Sequence, residues 1–222
     1  MKKYFALTIL CILTLTACNQ PTTEESAYPN EVIETIMTRR SVRQYNDEPI
    51  SHEVMDKILE CGIHAPNGMN AQRWEVRVVE SKKWIDDVTA AYKNSLAEDS
   101  PMAEQFKDPN FKNIFRNATS VIFISHRPGP CTQIDCGLMA GNMVNAAKSL
   151  GVSSVIMMSP ISFFSTEEGK PFLETLALSD GQELLLCIGM GYSDQQPETP
   201  ERRYSKVKYF QYLWKNLTNK GK

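Results

Sequence analysis

Residues 39–45 read RRSVRQY, so Arg39, Arg40 and Arg43 fall within five positions, with Ser41 among them. Guanidinium forks match the oxygens of a phosphate and bind them in pairs. A dianionic phosphate would also relieve the mutual repulsion of these three cations. An isolated arginine cluster is ordinarily a solvated surface. This one sits at the end of an apolar-faced helix and next to a hydroxyl donor, which argues for more. A second basic doublet, Arg202–Arg203, follows a proline-rich turn in PETPERR near the far end of the chain. Two distant basic segments suggest convergence on one anion, although spacing alone does not establish it.

The stretch APNGMNAQRWEV is the next one able to do chemistry. Asn67, Asn70 and Gln72 carry amides that both donate and accept hydrogen bonds. A flat heteroaromatic ring with alternating donors and acceptors needs such partners. The plainer reading is an asparagine-rich turn that closes the preceding helix. Three histidines at no ligand spacing and the absence of a CxxC pair give no metal site. No residue stands out as a general acid or base, so no catalytic side chain is assigned. A formal net charge of −2 over 222 residues gives no nucleic-acid footprint.

The elements that must position these residues follow from patterning. Asn30–Glu31 starts a helix with Val32, Ile33, Ile36 and Met37 on one face. Ser51 caps a second helix, HEVMDKILECGIHA, striped by Val54, Met55, Ile58 and Leu59, and Pro66-Asn67-Gly68 ends it in a loop. WEVRVVE reads as a strand. Residues 82–117 read as mostly helical with breaks at Pro101 and Pro109. SVIFIS (120–125), SSVIMMS (153–159) and ELLLCIGMGY (183–192) are apolar runs of the kind found in strands covered on both faces. Residues 132–150 form a long helix rich in small residues, Gly137, Ala140, Gly141, Ala146 and Ala147, which lets another backbone approach closely and places it centrally. The alternation predicts a mixed α/β sandwich with no interior linker.

The first residues read differently. MKKYFALTILCILTLTAC has two lysines, a short apolar run and then small residues, the size of a secretory signal core. Leu15-Thr16-Ala17-Cys18 resembles the bacterial lipobox, which implies lipidation of Cys18. The expected organisation is a signal peptide over 1–17, a polar tether over 18–30 and a single domain over 31–222, exported and lipid-anchored to the bacterial cell envelope, with membrane contact through the lipid only. Removing 1–17 lowers the formal charge by two, from −2 to −4. Cys61 and Cys187 lie in apolar stretches and read as buried small hydrophobes. Cys131 and Cys136 could pair locally, which spacing does not decide.

Taken together, RRSVRQY, APNGMNAQRWEV, AAKSLGVSS and GMGYSDQQPETPERR resemble the nitroreductase family of FMN-dependent flavoproteins. Members commonly carry R-R-S-x-R, then A-P-S-x-x-N-x-Q-P-W, then L-G-L-G, then G-Y-P-x-x-x-P. Order and spacing agree over roughly residues 31–209. The resemblance implies an α+β nitroreductase-like fold, a mixed central sheet flanked by helices, and an intertwined homodimer holding two FMN molecules. It places Arg39, Arg40 and Ser41 on the FMN phosphate and ribityl chain, with Arg43 at the pyrimidine edge. Pro66, Asn67, Gly68 and Asn70 match the loop that the partner subunit lays on the same flavin, and Asp135 matches a polar position reaching it from that subunit. Met158 and Ser159 fall where a backbone N–H faces flavin N5. Arg202 matches the late phosphate-binding arginine, with Arg203 beside it. Gly191-Tyr192-Ser193 departs from the usual Gly-Tyr-Pro, and Asn67-Gly68 from the usual serines.

The implied activity is two-electron reduction of nitroaromatics, quinones or similar electron-poor rings, with NAD(P)H as donor. Exported proteins meet few such donors. That tension leaves two alternatives, a flavin- or ligand-holding lipoprotein without turnover and a specialised flavin enzyme such as a reductive dehalogenase. The latter would call for a polar clamp. Glu98, Glu104, Lys107 and Lys112 offer one, although a solvated face is the plainer reading.

Overall fold

The computed structural model describes residues 28–97 and 99–210. The signal sequence, Cys18, most of the tether and Glu98 lie outside the described residues. Ten regular elements follow in chain order: α1 (Glu31–Thr38), α2 (His52–Ile63), β1 (Trp74–Val79), α3 (Lys82–Ser95), α4 (Pro101–Gln105), β2 (Ser120–His126), α5 (Thr132–Ser149), β3 (Ser153–Met157), α6 (Lys170–Thr175) and β4 (Glu183–Gly191). Caps explain where several helices begin. The side chains of Asn30, Ser51, Ser81 and Ser100 each accept a backbone N–H of the first turn, satisfying donors that the helix itself leaves unpaired.

The four strands form one sheet in the order β1-β2-β4-β3, paired antiparallel throughout. An isolated parallel bridge between Ser41 and Ser154 lays RRSVRQY against the β3 edge. Side chains alternate across the sheet, as the pleat requires. Ile122, Ile124, Ile188 and Met190 face α2 and α5, while Val121, Phe123, Val155 and Cys187 face a second core built with Ile85, Val88, Phe163 and Phe164. Both faces are therefore covered, and every residue of β2 is buried.

Two expectations are corrected. Residues 82–117 hold only α3 and the short α4; from Phe106 onward the chain is irregular, held by asparagine side chains in place of helical hydrogen bonds. The small residues of α5 do not all serve one approach. Ala140 and Ala147 turn into the core, whereas a Cβ on Gly137 or Gly141 would meet nothing within 4 Å. The close approach of α2 to α5 comes from the other helix: a Cβ on Gly62 would lie 2.4 Å from the end of Met143. The apolar face of α1 is formed as patterned, but no residue of α1 is buried and Val32, Ile36 and Met37 stand exposed. Cys187 is buried as expected, Cys61 only partly, and Cys131 and Cys136 are both free thiols. Burial pushes the Cys136 thiol up to about 11, with Asp135 adding to the shift.

Candidate functional site

The extended segment that carries the arginines is pinned to the sheet edge by main-chain and side-chain bonds. Val42 N–H donates to Ser154 O at 3.1 Å, and Asn46 N–H to Tyr192 O at 2.9 Å. The buried Tyr45 hydroxyl donates toward Val42 O at 2.7 Å and Gly189 O at 3.3 Å. From the other side, Ser193 Oγ donates to Gln44 O at 2.5 Å, and Gln195 Oε1 accepts the Arg43 N–H at 2.9 Å. Ser193, the departure from Gly-Tyr-Pro, thus ties the late polar run to the early basic one.

This lacing brings the distant basic segments together. Burial, then the charge of Arg40, then that of Arg202, hold the Arg39 guanidinium below the ordinary arginine range. Arg39, Arg40, Lys148, Ser153, Ser154 and Gln195 help line a cavity of about 160 Å³, and among the described residues no aspartate or glutamate lines it. Such a cavity disfavours its own cations and favours an anion. Arg40 is the least available of them. Its guanidinium donates to Met37 O at 2.7 Å, Arg39 O at 2.8 Å and Thr199 Oγ1 through both Nε and Nη2, so it staples the chain ahead of Arg202 onto α1. Arg203 is exposed beside Arg202. Met158 and Ser159 lie just past the end of β3; Ile156 and Met158, 42% and 64% exposed, form an apolar shelf at the sheet edge.

The loop residues form a second group. Asp135, in the first turn of α5, accepts the Gly68 N–H at 3.0 Å, and a carboxylate there also complements the helix dipole. Asn67 Oδ1 accepts the Gln72 N–H at 3.1 Å, so that oxygen closes the turn. Met69, Asn70 and Gln72 all have positive φ, 57°, 53° and 46°, a conformation costing roughly 1–2 kcal/mol for most residues. Pro66, Gly68 and Asn70 are exposed along this loop. The loop group sits at the start of α5 and Lys148 at its end. Asp135 and Lys148 are thirteen positions apart, roughly 20 Å along a helix axis.

Sequence reasoning missed Lys148, Ser153, Ser154 and Gln195. Their signal was present in AAKSLGVSS and in the polar run after GMGY, both recognisable as motifs but not as cavity walls. A larger cavity, about 770 Å³, lies elsewhere, between Ile50, Ile85 and Lys112. Its charged rim is internally paired, Lys112 with Asp47 at 2.8 Å and Lys82 with Asp86 at 2.5 Å, so size and anion chemistry point to different places and the chemistry decides. The suggested clamp is a solvated face among the described residues: Lys107 pairs with Glu104, and both are exposed.

Comparison with known proteins accords with this geometry. The pattern of the nitroreductase family matches residues 36–192. A candidate NADH dehydrogenase/NAD(P)H nitroreductase of Archaeoglobus fulgidus is 26% identical over 175 residues, covering 76% of this chain and 88% of that one. An NADPH-flavin oxidoreductase of Vibrio harveyi is 26% identical over 183 residues, covering 78% and 70%. The crystal structure of a nitroreductase with bound FMN from Bacteroides fragilis superposes with a TM-score of 0.74 at 24% identity, covering 82% of this chain and all of that one.

An acid-free cationic cavity gives a measurable expectation. Inorganic phosphate at about ten times its dissociation constant should stabilise the apoprotein by about 1.4 kcal/mol, a rise in Tm of about 3–6 °C. Chloride at matched ionic strength should not, and Arg39→Gln should abolish the increment. Equal rises in phosphate and chloride would refute anion selectivity at this cavity.

Proposed function

Because the chain belongs to the nitroreductase family, we propose that it is an FMN-dependent oxidoreductase that moves two electrons from NAD(P)H to nitroaromatic, quinone or similar electron-poor acceptors. The observation that carries this reading is a cavity lined by Arg39, Arg40 and Lys148 and by no described carboxylate, with the charge of Arg202, from the other end of the chain, acting on Arg39. FMN, when bound, supplies two-electron hydride chemistry. The chain's own residues bind and orient it. Arg39 and Arg202 would hold its phosphate, with Arg203 beside them and Lys148 adding charge. Arg40 acts at one remove by holding the Thr199 segment in place. Ser41 lies on the sheet edge at the head of the site, and Arg43 reaches the pyrimidine edge. The Ile156–Met158 shelf supports one face of the ring, and the backbone after Met158 offers N–H donors at Met158 and Ser159. No acid or base from the chain is required.

Pro66, Asn67, Gly68, Asn70 and Asp135 serve the flavin of a partner subunit in this reading. Gly137 and Gly141, one helical turn apart with open space above both, support a homodimer, as do the exposed Ile134 and Leu138 between and beside them. Exposed apolar patches of this kind mark association surfaces, and missing side chains let two helix axes come close. For the envelope, Leu15-Thr16-Ala17-Cys18 supports lipidation and anchoring.

Three experiments test this. The purified chain should be yellow, bleach on anaerobic addition of NADH or NADPH, and regain colour with a nitroaromatic; Arg39→Ala with Arg202→Ala should weaken FMN at least a hundredfold, since each charge-assisted bond contributes about 1.5–3 kcal/mol. A yellow protein that neither nucleotide bleaches would leave a flavin holder in place of the enzyme. Gly141→Leu should keep the helical circular-dichroism signal, because leucine is about 1 kcal/mol better than glycine in a helix, yet light scattering should report monomers and FMN should be lost; a dimer that persists contradicts the glycine contact. Expressed in a lipoprotein-processing bacterium, the chain should incorporate radiolabelled palmitate, and Cys18→Ser should not; label on both variants would reject Cys18 as the site.

A further inference from the structure

Arg43 borders a second cavity, about 270 Å³, lined also by Gln44, Gln105, Phe111, Arg116 and Gln195. Gln195 lines this cavity and the phosphate cavity both, so the two are neighbours across one side chain. Arg116 stands out within it. Its φ is 57° and that of Asn117 is 65°, two consecutive non-glycine residues in the left-handed region. A tight asparagine network holds them there. Asn117 Oδ1 accepts the backbone N–H groups of Lys112 at 2.7 Å and Asn113 at 3.2 Å, while its Nδ2 donates to Asn110 O at 3.0 Å. Asn113 Oδ1 accepts those of Phe115 at 3.0 Å and Asn117 at 3.1 Å, while its Nδ2 donates to Ala118 O at 3.1 Å. Strained backbone persists only where its surroundings over-determine it, and it collects at functional sites.

The outcome of that strain is a partly buried guanidinium with no hydrogen bond or ion pair to any described residue. The Arg43 guanidinium opposite it donates only to Ser41 O, at 3.1 Å. Asp108 also borders the cavity, but its Oδ1 accepts from the backbone and side chain of Asn110 at 2.8 and 3.1 Å and bridges neither arginine. A partly buried cation such as Arg116 without a partner is unfavourable, and its fork, with that of the exposed Arg43 on the same cavity, matches the oxygens of a carboxylate or phosphate. We propose that Arg116 and Arg43 form a second anion subsite beside the flavin, which takes a carboxylate or phosphate carried by one of the two reactants, with the Phe111 ring against its aromatic body. This rests on the FMN-dependent reading above.

The test uses the FMN-loaded protein and the variants Arg116→Asn, chosen because asparagine tolerates a positive φ, and Arg116→Lys. Acceptors are 4-nitrobenzoate and the uncharged 4-nitrobenzamide. If the anion is on the acceptor, Arg116→Asn lowers kcat/KM for the benzoate at least tenfold relative to the benzamide, and Arg116→Lys restores part of it. If the anion is on the donor, that ratio holds and the KM for NADH or NADPH rises at least tenfold instead. Should either variant misfold, the wild-type protein still decides: benzoate, and not benzamide, should compete with one of the two reactants. One FMN per chain with neither ratio nor KM changed, or no competition by benzoate, overturns the subsite. A wild-type protein that holds no FMN fails the underlying reading instead.

Discussion

Charge repulsion at the β3 edge is the constraint around which this fold is arranged. Burial and the charges of Arg40 and Arg202 hold the Arg39 guanidinium below the ordinary arginine range, and no described carboxylate lines the cavity it shares with Arg40. A chain left to itself would splay such groups into water. Here the main chain of RRSVRQY is bonded to Ser154 and Tyr192, Tyr45 is buried beneath it, and Ser193, Gln195 and Thr199 bind it from the returning segment. The stability of the two-faced core holds the cluster together, and the arrangement favours an anion.

The same division of labour appears elsewhere in the site. Residues that touch a ligand are few, and those that hold them are many. Arg40 belongs by sequence to the basic cluster, yet its donors are turned to Met37, Arg39 and Thr199. Asp135 holds Gly68, and Asn67 closes its own turn. Two loops carry runs of left-handed backbone, at Met69, Asn70 and Gln72 and at Arg116 and Asn117. In both loops, side-chain amides or a carboxylate satisfy the backbone groups that a helix or sheet would otherwise have paired. Rigid irregular segments of this kind place side chains where no regular element could.

The exposed surfaces have one character. The sheet core is closed on both faces, and exposed apolar groups remain on α1, on the outer side of α5 and at the β3 edge, as well as at Met69, Tyr204, Val207, Tyr209 and Phe210. The first two suit a second copy and the third suits a flat ring. The charged rim of the 770 Å³ cavity is internally paired, so a large volume there does not imply a ligand.

Much was legible in the sequence because its signals are local. Cap residues at Asn30 and Ser51, the period of the α2 stripe and the apolar runs of β2, β3 and β4 specify their elements through nearest neighbours and burial on both faces. The kinship of RRSVRQY and APNGMNAQRWEV with a known family was legible for the same reason, since motifs are contiguous. Contacts between distant segments were not. Which arginines meet depends on Ser41 pairing with Ser154, and which of them remains free depends on where Thr199 falls. The direction of Gly137 and Gly141, away from the core and not into it, depends on Gly62 having already supplied the close approach. A residue's type and spacing limit what it can bind. Only the packed sheet, by setting which side chains share a cavity and which are already engaged, decides what it does bind.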